Sequence, residues 1–219
     1  MKRFLLLLCA LALVVPVSAQ YDRASIWTGD MNRFAAEDSA RGPLTGGVLF
    51  VGSSTITGWP DLGGSFPGIE VRNRGFGGSI CTDHIYYFDR SIAPHTPDRV
   101  VIYIGSNDLC DPAKTPKRFM EDLACLVHMI HVSLPRAGII LLGINPCPIR
   151  INLTERYRLA NELMADMARQ YDYVSYASAW DRIIRSDGTV RDELFQPDRL
   201  HLNKDGYAVL IETLAPMLK

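Results

Sequence analysis

Five short apolar segments, separated by stretches with helical patterns, restrict the fold of this chain more than any other feature. They are rich in valine and isoleucine, and three of them are nearly continuous in apolar residues, as expected for strands that are buried on both faces. The segments are 47–52, 69–73, 99–105, 138–145 and 171–177. This pattern predicts parallel strands covered by helices.

Two of the intervening stretches have apolar residues at spacings of three and four, the pattern of a helix with one buried face. In residues 119–134 that face consists of Phe119, Leu123, Leu126, Val127, Ile130 and Leu134. In residues 153–170 the pattern predicts that Leu159, Leu163 and Met167 are buried. Both stretches are therefore expected to pack against the sheet.

An opening helix is expected across residues 26–40, and residues 203–218 are expected to form a closing helix. Strands that alternate with helices indicate a doubly wound α/β fold. We therefore predict a three-layer α/β/α sandwich around a five-stranded parallel sheet. Ligands of such folds bind at the carboxyl ends of the strands.

The amino terminus resembles a secretory signal peptide. Lys2 and Arg3 precede an apolar run of 13 residues, and Ser18 and Ala19 follow it. A membrane-spanning helix needs about 20 residues, so an uncleaved anchor is the less favoured alternative. We predict cleavage after Ala19, with Val17 and Ala19 as the two small specificity positions, and a secreted or periplasmic protein.

The mature chain, residues 20–219, has 200 residues and is expected to form a single domain with a sizeable core. Loss of Lys2 and Arg3 changes the formal net charge from −1 to −3. Nothing in that charge favours nucleic acid or an anionic membrane surface as a partner. No later apolar run is long enough to span a membrane, so integral membrane association is not expected after cleavage.

Four cysteines remain in the mature chain. Because secreted proteins meet an oxidising compartment, disulfides are permitted, and four cysteines allow three complete pairings. The equally weighted alternative is that they are free, buried thiols. They are Cys81, Cys110, Cys125 and Cys147, and their spacings show no Cys-x-x-Cys metal-binding pattern.

The loop after the first predicted strand contains two adjacent serines, Ser53 and Ser54, which follow Gly52. A serine at a strand-to-helix turn is a candidate nucleophile, because the first amide groups of a helix can stabilise a developing oxyanion. Serine is also a favoured helix cap. Considered by itself, this stretch favours the cap.

Three further loops carry candidate residues. The stretch NRGFGGS, 73–79, has three glycines that can expose backbone amides to a ligand or simply form a tight turn. Asn107 follows the third strand and could donate to an oxyanion or stabilise a turn. Asp198 and His201 precede the closing helix, where the carboxylate could orient the imidazole as a base. The alternative there is a helix start capped by Asn203, with His201 merely exposed.

Taken together, the four blocks and their order resemble the SGNH hydrolases, also called the GDSL family of esterases and lipases. The blocks are GSS at 52–54, NRGFGGS at 73–79, YIGSND at 103–108 and DRLH at 198–201, and the stretch PCPIR at 146–150 also matches. The resemblance extends from Gly52 to Tyr207. It implies a flavodoxin-like SGNH hydrolase fold, with Ser53 where the family usually has aspartate.

The resemblance also implies a role for each matching residue. Ser54 would be the nucleophile, His201 the base and Asp198 the acid that orients it. The oxyanion would be held by the backbone amides of Ser54 and Gly78 and by the side chain of Asn107. The implied reaction is hydrolysis of carboxylic esters through an acyl-enzyme on Ser54, without a metal or organic cofactor.

The implied substrate is a small-molecule or polymer-borne ester, with a short-chain acyl or O-acetyl group on a carbohydrate or lipid. One alternative is an O-acyltransferase that uses the same site. Another is a non-catalytic carbohydrate-binding module, which the complete set of five site residues argues against. Trp59, Phe76, Tyr86 and Tyr87 could line an acyl or sugar pocket, although core packing is expected for at least one tyrosine.

Overall fold

The structure is a computed structural model that describes residues 25–218; the predicted signal peptide lies outside this range. Its helices are α1 Thr28–Arg41, α2 Ser54–Thr57, α3 Leu62–Ser65, α4 Cys81–Tyr86, α5 Phe88–Ser91, α6 Pro116–Ser133, α7 Thr154–Gln170, α8 Trp180–Ile183 and α9 Lys204–Leu218. Its strands are β1 Val48–Gly52, β2 Val71–Gly75, β3 Arg99–Tyr103, β4 Gly138–Leu142 and β5 Val174–Ala177. Short 3-10 helices lie at Asp108–Cys110, Pro148–Leu153 and Asp192–Leu194.

All five strands pair in parallel, in the order β2-β1-β3-β4-β5. Val48 of β1 lies opposite Val71 on one side and Arg99 on the other, which sets the register of the three strands. The strand that follows β1 in the chain, β2, lies on one side of β1, and the next strand, β3, lies on the other side. A crevice therefore opens at the carboxyl ends of β1 and β3, where ligands of doubly wound folds bind.

Two hydrophobic clusters cover the two faces of the sheet, because successive strand residues point to opposite sides. Leu49 and Ile102 face the side covered by α6 and α7. Phe50 and Val101 face the side covered by α9. These clusters confirm the predicted three-layer α/β/α sandwich.

The buried face of α6 is the one that the sequence predicts, but the buried face of α7 is not. Leu159 and Leu163 are 39% and 37% exposed. The residues of α7 that face the sheet are Tyr157, Ala160, Asn161, Met164 and Met167. Asn161 is tolerated there because its side chain bonds both the backbone N–H and the C=O of Ile144, at 2.7 and 2.8 Å.

The second strand was predicted over 69–73 but runs over Val71–Gly75. Arg72 and Arg74 of this edge strand are 2% and 0% exposed, a position that the sequence pattern does not indicate. Both guanidinium groups pair with Asp38 of α1, and Arg74 also pairs with Glu37 at 2.6 Å. The first helix therefore covers this edge of the sheet with compensating charge.

The four cysteines within the described range are free thiols. Cys81 and Cys147 are buried, whereas Cys110 and Cys125 are exposed. None of the helices between Ser25 and Leu218 combines the length and apolar character that a membrane crossing requires.

Candidate active site

Ser54 is the first residue of α2, directly beyond the carboxyl end of β1. The turn requires glycine at position 52, since a Cβ atom there would lie 2.2 Å from the carbonyl oxygen of Tyr103. Ser53 shapes the turn through its backbone rather than its side chain: its carbonyl accepts from the N–H groups of Ile56 and Thr57, both at 3.0 Å. The chain thus presents a half-buried Ser54 side chain at the crevice.

The loop after β2 carries Gly78 with φ +74, a backbone conformation that side chains disfavour. The Nε1 of Trp27 donates to the carbonyl of the preceding residue, Gly77, at 2.8 Å. Within residues 25–218, the backbone N–H groups of Gly78 and Ser54 have no hydrogen-bond partner. Both amides are therefore available to a ligand.

His84 lies beneath this loop and is completely buried. Its Nε2 is 2.9 Å from Ser79 Oγ, and its ring stacks at a tilt on Phe76, with 4.2 Å between ring centroids. Burial lowers the pKa of His84 to about 3, so the imidazole is neutral at physiological pH. Its position suits it to support the loop rather than to exchange protons with a ligand.

The depressed pKa of His84 predicts that the protein loses stability in acid. Below the pKa of an unfolded histidine, about 6.5, the unfolded chain binds a proton here that the folded chain excludes. The free energy of unfolding should therefore fall between about pH 6.5 and about pH 3, with a slope from this residue approaching about 1.4 kcal/mol per pH unit. Urea unfolding of the parent and of His84→Gln at a series of pH values measures this slope.

In His84→Gln, the number of protons taken up on unfolding in this pH range should be smaller by about one than in the parent. His128→Gln is the matched control, because it makes the same substitution at an exposed position of α6. Equal slopes in the parent and in His84→Gln would contradict the prediction.

Asn107 follows β3 and has both ends of its side-chain amide engaged. Its Nδ2 donates to the carbonyl of Ser79 at 3.1 Å, and its Oδ1 accepts from Arg150 Nη1 at 3.1 Å. The same Nη1 donates to the carbonyl of Ser106 at 3.2 Å. The amide nitrogen retains a second N–H that can bind a ligand.

The Asp198 carboxylate forms hydrogen bonds with the His201 imidazole and with the backbone of the loop that joins the two residues. Its Oδ2 is 2.7 Å from His201 Nδ1, and its Oδ1 accepts from the N–H groups of Leu200 and His201 at 2.9 and 3.0 Å. These bonds, the imidazole contact first, lower the pKa of Asp198 to about 2. The carboxylate is therefore ionised at any ordinary pH and fixes a proton on Nδ1, which leaves Nε2 as the basic nitrogen.

The loop that contains Asp198 and His201 includes a strained residue. Arg199, with φ 58, is the non-glycine residue with positive φ in the described range. Asn203 caps α9 through its Oδ1, which accepts from the N–H groups of Asp205 and Gly206. The predicted helix cap and the predicted Asp198–His201 contact are therefore not alternatives, since both are present.

Ser54, Asn107 and His201 line one cavity of about 30 Å³ at the carboxyl edge of the sheet. The other lining residues are Thr55, Tyr103, Ser106, Asn145, Cys147, Arg150, Phe195, Leu200 and Leu202. Asp198 contacts Nδ1 of the His201 imidazole. Gly78 precedes Ser79, whose carbonyl accepts a hydrogen bond from Asn107 Nδ2. Ser54 Oγ and His201 share the cavity without a hydrogen bond between them in the described part of the chain.

The aromatic residues that the sequence analysis considered for a substrate pocket do not line this cavity. Trp59 packs in the core against Phe50 and Tyr207. Phe76 and Tyr87 belong to a cluster with the first helix, and Tyr86 is exposed. Core packing therefore explains three of the four.

Sequence reasoning gave no role to two polar side chains that line the cavity, those of Asn145 and Arg150. Arg150 was noted only as part of the PCPIR block, without a role. Asn145 is 6% exposed, and its Nδ2 has no partner among the described residues. Burial raises the pKa of the neighbouring Tyr103 to about 12, so its hydroxyl stays protonated.

Comparison with known families gives a match over most of the chain. The family model described as GDSL-like lipase/acylhydrolase matches residues 44–209. An N-acylneuraminate cytidylyltransferase of Escherichia coli O18:K1:H7 is 24% identical over 152 residues, which cover 69% of this chain. The matched part spans only 36% of that protein.

Solved structures share the fold. A protein from Streptococcus pneumonia, provisionally described as a platelet activating factor, has a TM-score of 0.77 and 19% identity, and the match covers 92% of this chain and 99% of that one. A GDSL-like lipase from Bacteroides thetaiotaomicron has a TM-score of 0.70 and 18% identity, over 86% and 96% of the two chains. A mutant of Axe2, an acetylxylan esterase from Geobacillus stearothermophilus, has a TM-score of 0.61 and 17% identity, over 78% and 93%.

Proposed function

Because the chain belongs to the GDSL-like lipase/acylhydrolase family, we propose that it is a carboxylic ester hydrolase that cleaves short-chain acyl or O-acetyl esters through an acyl-enzyme on Ser54. We further propose that it acts outside the cytoplasm, as the amino-terminal sequence suggests. The ester would be borne by a carbohydrate or a lipid.

The observation that carries this proposal is the shared cavity of Ser54, Asn107 and His201. A serine hydrolase needs a nucleophile, a base with an orienting carboxylate and donors for the oxyanion. Asp198 holds Nδ1 of His201 at 2.7 Å, and the amides of Ser54 and Gly78 have no partner in the described range. These contacts support the proposal that residues of this chain fill each of these roles.

The proposed reaction has two halves. His201 Nε2 takes the proton of Ser54 Oγ as the oxygen attacks the ester carbonyl, and the N–H groups of Ser54, Gly78 and Asn107 Nδ2 bind the oxyanion. The protonated imidazole then donates its proton to the leaving alcohol. In the second half, His201 activates a water molecule that releases the acid from Ser54.

The size of the cavity favours small acyl groups. A volume of about 30 Å³ holds only a few atoms, and its walls are largely polar. Acetyl and similarly short groups fit such a space, whereas long alkyl chains would need an apolar channel. The resemblance in fold to an acetylxylan esterase is consistent with an O-acetylated carbohydrate as substrate.

The proposal is tested by hydrolysis of p-nitrophenyl acetate, butyrate and octanoate. We expect kcat/KM to be highest for the acetate and to fall with chain length. A preference for octanoate would contradict the proposed acyl group. Turnover that survives the replacement of Ser54 would contradict the proposed acyl-enzyme.

Asn107→Ala is expected to lower kcat by roughly 100-fold or more, because one oxyanion donor is lost at a cost of about 3 kcal/mol in the barrier. KM for p-nitrophenyl acetate should change little, since the donor acts mainly on the transition state. Steady-state kinetics measures both constants, and circular dichroism checks the fold. A variant with normal kcat would contradict the assignment of Asn107.

A further inference from the structure

A single guanidinium group contacts the side chain that we assign to the oxyanion hole. Arg150 Nη1 is 3.1 Å from Asn107 Oδ1 and 3.2 Å from the carbonyl oxygen of Ser106. We propose that Arg150 is a positioning residue, which orients the Asn107 amide so that its nitrogen faces the substrate oxyanion. This inference rests on the proposed function.

The two contacts of Asn107 select one orientation of its amide. The carbonyl of Ser79 accepts from Nδ2 at 3.1 Å, and the cationic Arg150 donates to Oδ1. Rotation of the amide by a half-turn would place its oxygen against the Ser79 carbonyl and its NH₂ group against the guanidinium. Both contacts would then become repulsive, so the nitrogen is held where its second N–H can reach the cavity.

The charge of Arg150 is not neutralised by a carboxylate. Among the ion pairs of the described range, none includes Arg150, although its side chain is half-buried at the cavity wall. Burying part of a cation without a counter-ion costs free energy. Its bonds to Asn107 Oδ1 and to the Ser106 carbonyl offset that cost.

The segment that carries Arg150 is fixed by two backbone hydrogen bonds. The N–H of Arg150 donates to the carbonyl of Cys147 at 3.1 Å. The N–H of Ile149 donates to the carbonyl of Arg199 at 3.2 Å, which ties the segment to the loop of His201. The guanidinium is therefore placed by contacts independent of its own bonds to Asn107.

A double-mutant cycle with p-nitrophenyl acetate tests the proposal. Arg150→Ala should lower kcat about 10- to 100-fold in the parent, with KM changed by less than about threefold. In the Asn107→Ala background the same substitution should lower kcat by less than about threefold, because its effect passes through Asn107. Guanidine should partly restore kcat to Arg150→Ala but not to the double variant.

Arg156→Ala is the matched control. Arg156 follows Arg150 by six residues and donates to the backbone carbonyls of Asp111 and Lys114, without a contact to Asn107. Its kcat should stay within about threefold of the parent. Arg150→Lys, which keeps the charge and a donor, should fold and have a kcat between those of the parent and Arg150→Ala.

The outcomes separate this inference from the function on which it rests. Independent losses that multiply in the double variant, or a rise in KM with kcat unchanged, would overturn the positioning role and leave the proposed hydrolysis intact. A lower melting temperature with normal kcat would also overturn it. Normal kcat in Asn107→Ala would overturn the proposed oxyanion hole and this inference together.

Discussion

Ser54→Ala is expected to reduce kcat for p-nitrophenyl acetate by about 10⁴-fold or more, since no acyl-enzyme can form without the hydroxyl. The melting temperature should stay close to that of the parent. Ser54 Oγ makes no hydrogen bond within residues 25–218, so its removal leaves no buried partner unsatisfied. Kinetics with a sensitive end-point assay and a thermal melt measure the two quantities.

Ser53→Ala is the matched control for this experiment. Ser53 is the adjacent serine, 2% exposed, and it supports the turn through its carbonyl, which alanine retains. Its kcat should remain within about tenfold of the parent. Turnover that survives in Ser54→Ala but disappears in Ser53→Ala would contradict the assignment of Ser54 as the nucleophile and would favour Ser53.

Arg74→Met is expected to lower the free energy of unfolding by about 3 kcal/mol or more. Arg74 is completely buried, and its loss removes one of the arginines that pair with each of the partly buried carboxylates of Glu37 and Asp38. Its guanidinium also lies over the ring of Phe34, 4.8 Å from the centroid. Urea unfolding followed by fluorescence measures the change.

Arg158→Met provides a matched comparison, because Arg158 also pairs with two carboxylates, those of Glu155 and Glu162. These three side chains are 44% exposed or more, so each pair contributes little. The variant should unfold at nearly the same urea concentration as the parent. Similar losses of unfolding free energy in both variants would contradict the prediction that the buried ion pairs of Arg74 stabilise the fold more than the exposed pairs of Arg158.

The five strands could be predicted because three of them are nearly continuous in apolar residues, as a parallel sheet covered on both faces requires. Their bounds were not all correct: β2 is displaced by two residues, and β5 begins only at Val174. The sequence pattern does not indicate that Arg72 and Arg74 are buried, because their partners Glu37 and Asp38 are distant along the chain. Long-range charge compensation of this kind depends on the packing of α1.

The helix α7 shows a second limit of pattern reasoning. Leu159 and Leu163 satisfy the helical period as well as the buried residues do, and leucine is the more apolar choice. The helix instead buries the face with Ala160 and Asn161, because small residues allow a close approach and the asparagine bonds the Ile144 backbone. The buried face of α7 therefore depends on packing distance and hydrogen bonding, and the periodicity of apolar residues predicts neither.

The candidate site could be located from the sequence because carboxyl ends of parallel strands meet at one edge. That rule places Ser54, Asn107 and the loop of Gly78 near one another, and the resemblance to a family adds Asp198 and His201. The composition of the cavity could not be predicted in the same way. Asn145 and Arg150 reach it from the loop after β4, where their direction depends on the 3-10 helix Pro148–Leu153.

The Asp198 carboxyl group divides two tasks between its oxygens. Oδ1 closes the tight turn around Arg199, whereas Oδ2 selects the tautomer of His201. Backbone shape and acid–base chemistry therefore share one side chain and cannot vary separately at this position. Asparagine could preserve the turn through its oxygen while presenting an NH₂ group to the imidazole, which would reverse the tautomer. Glutamate would keep the charge, but its longer side chain could not close the same turn.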